Sequence, residues 1–287
     1  MLGDEQSGAT VPRMILGARL RRLREARNIA RSEAGETIRG SRSKISRLEA
    51  GRTGFKLRDV EDLLTLYGVT EEGDRATLLA LARRTNSLGW WQSYHDVVPS
   101  WLHVYLGLEQ AAEVIRCYEL QYIPGLLQTE EYARAVLRQG SEAGSRDQTE
   151  RRVELRMRRC RVLQRATPPR LWAVIDEAAL HRAVAGATAM RAQLTHLLEM
   201  SELPHVTLQV MPFAVGEHAA LGGPVTLLRP PGDELPDVVF LEHPTGALFP
   251  DKPAEVERYR HIMNSVVVDA ASAHASREML HRIRAQL

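Results

Sequence analysis

From residue 14 the apolar positions recur at helical spacing. Ile15, Leu16, Leu20 and Leu23 share one face, with Arg19, Arg21, Arg22, Arg24 and Arg27 around the rest. Arg31 to Ile38 is a second short helix, ended by Arg39-Gly40. In Ser41 to Ala50, Ile45 and Leu48 are three apart and face one way, while Arg42, Lys44 and Arg47 point elsewhere. Ser41 is a good N-cap there and Gly51 a good C-terminal stop. GRTGFK is a turn. Leu57 to Tyr67 is a fourth helix with Val60, Leu63, Leu64 and Tyr67 inside and Gly68 as its stop. Glu71 to Thr85 is a fifth, through Leu78, Leu79, Leu81 and Ala82. The pattern predicts an all-α five-helix domain over 13–85. Residues 1–12 (MLGDEQSGATVP) carry no periodicity and read as a disordered lead-in.

TNSLG, 85–89, reads as a linker, and the composition changes after it: Trp90, Trp91, Trp101 and Trp172, all the tryptophans of the chain, lie beyond. Helical patterns cover Trp101 to Leu120, Thr129 to Arg138 and Gln148 to Arg165. Strand-like runs follow at 170–176, 205–213, 223–230 and 237–243, with a helix over Ala187 to Met200 and further helices from Pro253 to Leu287. Residues 86–287 are therefore expected to form an α+β domain with a small sheet of three to five strands.

A length of 287 residues suits two domains, and 44% hydrophobic with 26% charged residues is an ordinary soluble profile. The formal net charge of +2 hides an asymmetry. Between Arg13 and Arg58 stand 14 Lys/Arg against four carboxylates, Glu25, Glu33, Glu36 and Glu49. Such a block attracts a polyanion. Its regular apolar positions argue against a disordered basic arm; a merely solvated basic face is the competing reading. Two cysteines, Cys117 and Cys160, do not make a disulfide framework and read as reduced thiols. The chain has no apolar signal core and no apolar run of about 18 residues. A cytoplasmic protein without membrane association is expected.

The second and third helices, Ile29 to Gly51, have helix-turn-helix spacing around Arg39-Gly40-Ser41. A B-form major groove, about 12 Å wide, admits one helix, which reads base edges with its early residues. With Ile45 and Leu48 packed inward, Arg42, Ser43, Ser46 and Arg47 are left to face double-stranded DNA. Arg31, Lys44, Arg52 and Lys56 are the expected phosphate contacts. One such monomer has a small footprint, so a homodimer reading two half-sites is expected.

SRSKISRLEAGR, 41–52, resembles the S-x-S-x-I-S-R-x-E-x-G-R run of the xenobiotic-response-element (phage-repressor-like) helix-turn-helix family, over about 14–70. Further on, 106–137 with its PGLLQT run, VIDEAAL (174–180), VMPF (210–213) and VVFLEHPTG (238–246) resemble actinobacterial regulators that end in a domain of unknown function. These are described as antitoxin-like transcriptional regulators, often found beside a very small partner protein. The resemblance implies base-reading positions at Arg42, Ser43 and Arg47, with Ser46 beside backbone or bases. It implies a structural acid at Glu49, paired within the domain, with Arg19 or Arg22 as the candidates. Arg31 stands where the family usually has a phosphate-binding Gln, and Gly35 where it has a small residue for close helix packing. A small partner protein or a small-molecule effector is implied for the C-terminal domain. The runner-up is an antitoxin-like protein whose DNA binding serves autoregulation.

Other constellations favour plainer readings. Asp176-Glu177 with His181 one turn on could bind a metal or act as acid and base, but a helix cap with an exposed His fits better. His218 and Glu242-His243 sit near strand ends and could complete such a site in space. No H-E-x-x-H, C-x-x-C, P-loop or G-x-S-x-G occurs, so no catalytic residue, metal or cofactor is expected; an enzyme fused to a helix-turn-helix is the remaining rival. Trp90 and Trp91, with Trp101, are candidates for domain packing or for a ligand cleft. The basic run 151–165 reads as a solvated helix face, and GEHAALGGP, 216–224, as a mobile loop.

Overall fold

The leucines at helical spacing close a core around five helices: α1 (Thr10–Ala26), α2 (Arg31–Thr37), α3 (Arg42–Glu49), α4 (Leu57–Leu66) and α5 (Glu72–Arg84). Leu16, Leu20, Ala34, Ile45, Leu48, Phe55, Val60, Leu63, Leu64 and Ala82 are buried together. The computed structural model describes residues 8–139 and 146–287. These helices belong to a first unit that runs up to Ser93 and includes the segment 231–236; the second unit is 94–230 with 237–287.

Two expectations need correction here. First, α1 begins at Thr10, and Val11 is buried, so residues 10–12 of the expected lead-in form its first turn. Pro12 sits in that turn, where an absent N–H breaks no helical bond. Residues 1–7 of the lead-in lie outside the described residues. Second, the start of the expected linker is pinned. Thr85 is fully buried, its carbonyl accepts from Arg13 Nε at 2.6 Å, and Asn86 Nδ2 donates to the Phe55 carbonyl at 2.8 Å. Buried backbone groups need such partners.

Helices α1 to α4 end alike. In each, a residue with positive φ turns the chain and the next N–H bonds back to a carbonyl five residues earlier. The pairs are Ile29 N–Arg24 O (3.1 Å), Gly40 N–Gly35 O (2.7 Å), Arg52 N–Arg47 O (2.9 Å) and Val69 N–Leu64 O (3.0 Å). The turning residues are Asn28, Arg39, Gly51 and Gly68.

The second unit opens with α6 (Ser100–Ala111), but the helix stops there. Residues 114–119, the end of the expected helix 101–120, are strand β1 (Val114–Glu119). Val-Ile-Arg-Cys-Tyr favours a pleated surface, and pairing on both edges overrides the helical reading. There follow α7 (Glu130–Gln139), α8 (Arg146–Cys160), β2 (Arg170–Asp176), α9 (Glu177–His181), α10 (Ala187–Met200), β3 (Val206–Met211), β4 (Val225–Arg229), β5 (Val238–His243), β6 (Gly246–Leu248), α11 (Pro253–Asp269) and α12 (Ala273–Gln286). The six strands have the order β3-β2-β1-β4-β5-β6, larger than the three to five expected. β1, β2 and β3 are parallel (Ile115 opposite Leu171, Ala173 opposite Leu208), while β4, β5 and β6 add antiparallel (Ile115 opposite Leu228). Val256, Met263 and Val266 of α11 cover Tyr118, Val174, Leu227 and Val239. Trp101 and Tyr105 of α6 pack on Phe240, centroids 6.3 and 4.2 Å away.

Candidate nucleic-acid interface

The α2–turn–α3 element is positioned by close backbone approaches. A Cβ on Gly35 would meet the Ser41 carbonyl carbon at 2.9 Å, so α2 and the start of α3 touch main chain to main chain. A Cβ on Gly17 would be closer still to the Leu48 carbonyl oxygen, and 2.7 Å from that of Glu49. Gly17 lets α3 lie on α1. It escaped the sequence reading, where only its place between Leu16 and Leu20 could have marked it as buried. Ser41 caps α3, its Oγ accepting from Lys44 N at 3.2 Å.

Ile45 and Leu48 face inward with 1% and 3% exposure. Arg42, Ser43, Ser46 and Arg47 are exposed, and their spacings of three and four put them on one face of α3. Among the described residues neither Arg42 nor Arg47 has an ion-pair partner. Arg52, just past the Gly51 turn, and Lys56, at the N-cap of α4, are also exposed and unpaired among those residues.

The other two expected phosphate contacts have protein partners. Lys44 Nζ donates to Asp59 Oδ2 at 2.7 Å. Arg31 Nε donates to Glu49 Oε2 at 2.8 Å. Glu49 is buried, as a structural acid should be, but its partners are Arg24 and Arg31, not Arg19 or Arg22. Arg24 Nε and Nη2 reach its two oxygens at 2.5 and 3.1 Å. That hydrogen bond pushes the Arg24 guanidinium further up, against its burial. Burial, and then the Glu49 charge, push the Tyr67 hydroxyl well up. Arg19 pairs with Glu234 of segment 231–236, within the same unit.

The tryptophans divide. Trp90 and Trp91 meet edge to face (5.9 Å, 85°) in the first unit, with Trp91 buried where Gly89 and Gly8 leave room for its ring. Trp101 belongs to the α6 packing of the second unit. The basic run 151–165 is not a solvated face. Arg159 is buried in a two-pronged pair with Glu109 (2.9 and 2.8 Å), Arg156 Nη1 donates to Gln128, and Arg165 donates to the Gln110 and Ala112 carbonyls.

At the carboxyl ends of the parallel strands, Asp176 caps α9 through Ala178 N (2.9 Å). Its other oxygen accepts from the Tyr118 hydroxyl at 2.9 Å, and His218 Nε2 lies 3.3 Å from that hydroxyl. His218 Nδ1 accepts from Ala220 N, which leaves Nε2 as the protonated nitrogen that donates to Tyr118. Ala220 is buried, so the 216–224 loop is anchored at its middle. Glu177 and His181 approach to 3.5 Å, and His181 stacks on Phe213. Glu119 is pushed up to about 8 by burial and by the Glu242 charge. Among the described residues no group of three or more His, Cys, Asp or Glu is placed to hold a metal ion, and no helix is long and apolar enough to cross a membrane.

Two families match the chain. A helix-turn-helix domain covers residues 15–78, and a domain of unknown function, DUF5753, covers 102–282. No curated protein and no solved structure matches it. The first match encloses α2, the turn and α3 together with the Arg24–Glu49–Arg31 cluster; the second takes in the sheet and most of the helices around it. The chain thus carries a helix-turn-helix domain ahead of a second, larger unit, and by the extent of that second match it belongs to the DUF5753 family.

Proposed function

We propose that the protein is a sequence-specific DNA-binding transcriptional regulator of the xenobiotic-response-element kind, with α3 as its recognition helix. One observation carries the reading. The outer face of α3 presents Arg42, Ser43, Ser46 and Arg47 to solvent, while carboxylates neutralise the neighbouring cations Arg24, Arg31 and Lys44. An arginine that is exposed and free of carboxylates is available for the bidentate contact to guanine. Arg52 and Lys56 then take phosphates and set the salt dependence.

A homodimer gives such a small reader a second half-site one helical turn away, and sedimentation of the protein with and without DNA checks it. The second unit is the module on which an effector or a small partner protein acts; the antitoxin-like reading differs only in making that partner the main target. Neither reading gives the protein an enzymatic activity, and both fit a cytoplasmic setting.

Fluorescence anisotropy on DNA from upstream of the protein's own coding region, against scrambled DNA, tests the reading at several salt concentrations. Arg42→Ala and Arg47→Ala should each weaken specific binding by about 1–3 kcal/mol, roughly 5- to 150-fold. Binding that ignores sequence and both substitutions would remove α3 as the reader.

A further inference from the structure

Arg39 marks the end of α2 in the sequence, but its backbone conformation is one that a long side chain rarely adopts. It is the turning residue at the end of α2, with φ +49°, its N–H bonded to the Glu36 carbonyl at 3.0 Å. The equivalent positions after α1, α3 and α4 hold Asn28, Gly51 and Gly68, types that accept this left-handed conformation readily. A long side chain stands at this position only in the helix-turn-helix turn, although Gly40 is the very next residue. Side-chain contacts do not account for it. Arg39 is exposed, and among the described residues its side chain has no hydrogen bond or ion pair. Backbone strain kept without a structural return points to function.

Its location supplies that function. Arg39 precedes Ser41, the cap of α3, by two residues. A recognition helix enters the groove by its first residues, so the turn ahead of it lies at the groove edge, against the sugar-phosphate strand. The first N–H groups of α3, on Arg42 and Ser43, have no carbonyl of their own helix to bond and point the same way. We infer that Arg39 is a phosphate contact that anchors the N-terminal end of α3 on the DNA backbone, kept there at the expense of fold stability. This rests on the α3 reading above.

The test compares full-length parent, Arg39→Gly, Arg39→Asn and Arg39→Lys. Glycine and asparagine both accept the backbone, so these variants fold, with unfolding temperatures no lower than the parent's. Lysine keeps the charge and the strain. The dependence of log affinity on log salt should be shallower by about 0.9 per bound protomer in the Gly and Asn variants, about 1.8 for a homodimer on two half-sites, and unchanged in Lys. Between 50 and 200 mM salt they should then lose about 3.5-fold less affinity per protomer than the parent, about 12-fold less for the homodimer. A parent-like slope in the Gly and Asn variants would overturn the inference while leaving α3 as the reader. A parent that binds DNA without sequence preference and ignores Arg42→Ala would overturn the α3 reading, a separate result.

Discussion

Glu49 holds three helices of the first unit together, and its removal has a calculable cost. It sits on α3, accepts two bonds from Arg24 of α1 and one from Arg31 of α2, and its side chain is 4% exposed. Glu49→Ala strands Arg24, whose side chain is 8% exposed. Breaking a buried pair from one side costs about 3–5 kcal/mol, because the remaining charge stays desolvated. Two features put this case at the low end. Arg24 keeps the Ile29 carbonyl at 2.8 Å and Glu25 at 3.3 Å, and Arg31, about one-third exposed, turns to water. The expected loss is about 3 kcal/mol, set against roughly 4–12 kcal/mol for a unit of this size. Hydrogen exchange of the α3 amides reads this opening free energy without interference from the second unit. Arg24→Met with Glu49→Leu should recover most of the loss, since no charge is then stranded. A loss below about 1 kcal/mol for Glu49→Ala, the value of an exposed pair, would refute the argument.

Three further outcomes follow from the geometry. Gly17→Ala forces α3 off α1, because the new methyl meets carbonyl oxygens of Leu48 and Glu49 that have no freedom to retreat; thermal melts should show a loss of at least about 2 kcal/mol. Lys44→Ala should leave the salt slope of DNA binding unchanged while Arg52→Ala lowers it by about 0.9 per bound protomer, since Asp59 already neutralises Lys44; equal effects would refute this assignment. Glu119, pushed up to about 8, stays protonated in the folded state between its unfolded value near 4.5 and pH 8, so its contribution is full below pH 4.5 and is lost as pH rises through 8. Glu119→Gln should therefore be more stable than the parent at pH 9, with the difference shrinking toward pH 5 in urea titrations.

The all-α half was legible because its signals are local. Ser41, Gly51 and Gly68 mark helix ends through their own conformational preferences, and Ile45 and Leu48 mark a face by spacing alone. The reading failed where the partner is distant. Val114–Glu119 scans as a continuation of α6 until β2 and β4 are placed on either side of it. The arginines of 151–165 scan as a wet face because nothing nearby announces Glu109 or Gln128. Within the candidate interface the outward set on α3 was readable from helix geometry. That Arg31 and Lys44 are held by carboxylates was not, since Glu49 and Asp59 lie on other helices.

The strand order has a consequence for vectorial synthesis. β1 lies inside the sheet, with the strands that follow it soonest, β2 and β3, on one side and the later β4, β5 and β6 on the other. A nascent chain can complete the parallel half while the residues that face Val114 and Ile115 across the other edge, Arg229 and Leu228, are still inside the ribosome. During that interval the Val114–Tyr118 backbone is a bare template, flanked by apolar side chains, for any extended chain that arrives first. Fragments that stop before Val225 should precipitate, whereas chains that carry β4 and β5 close the edge themselves.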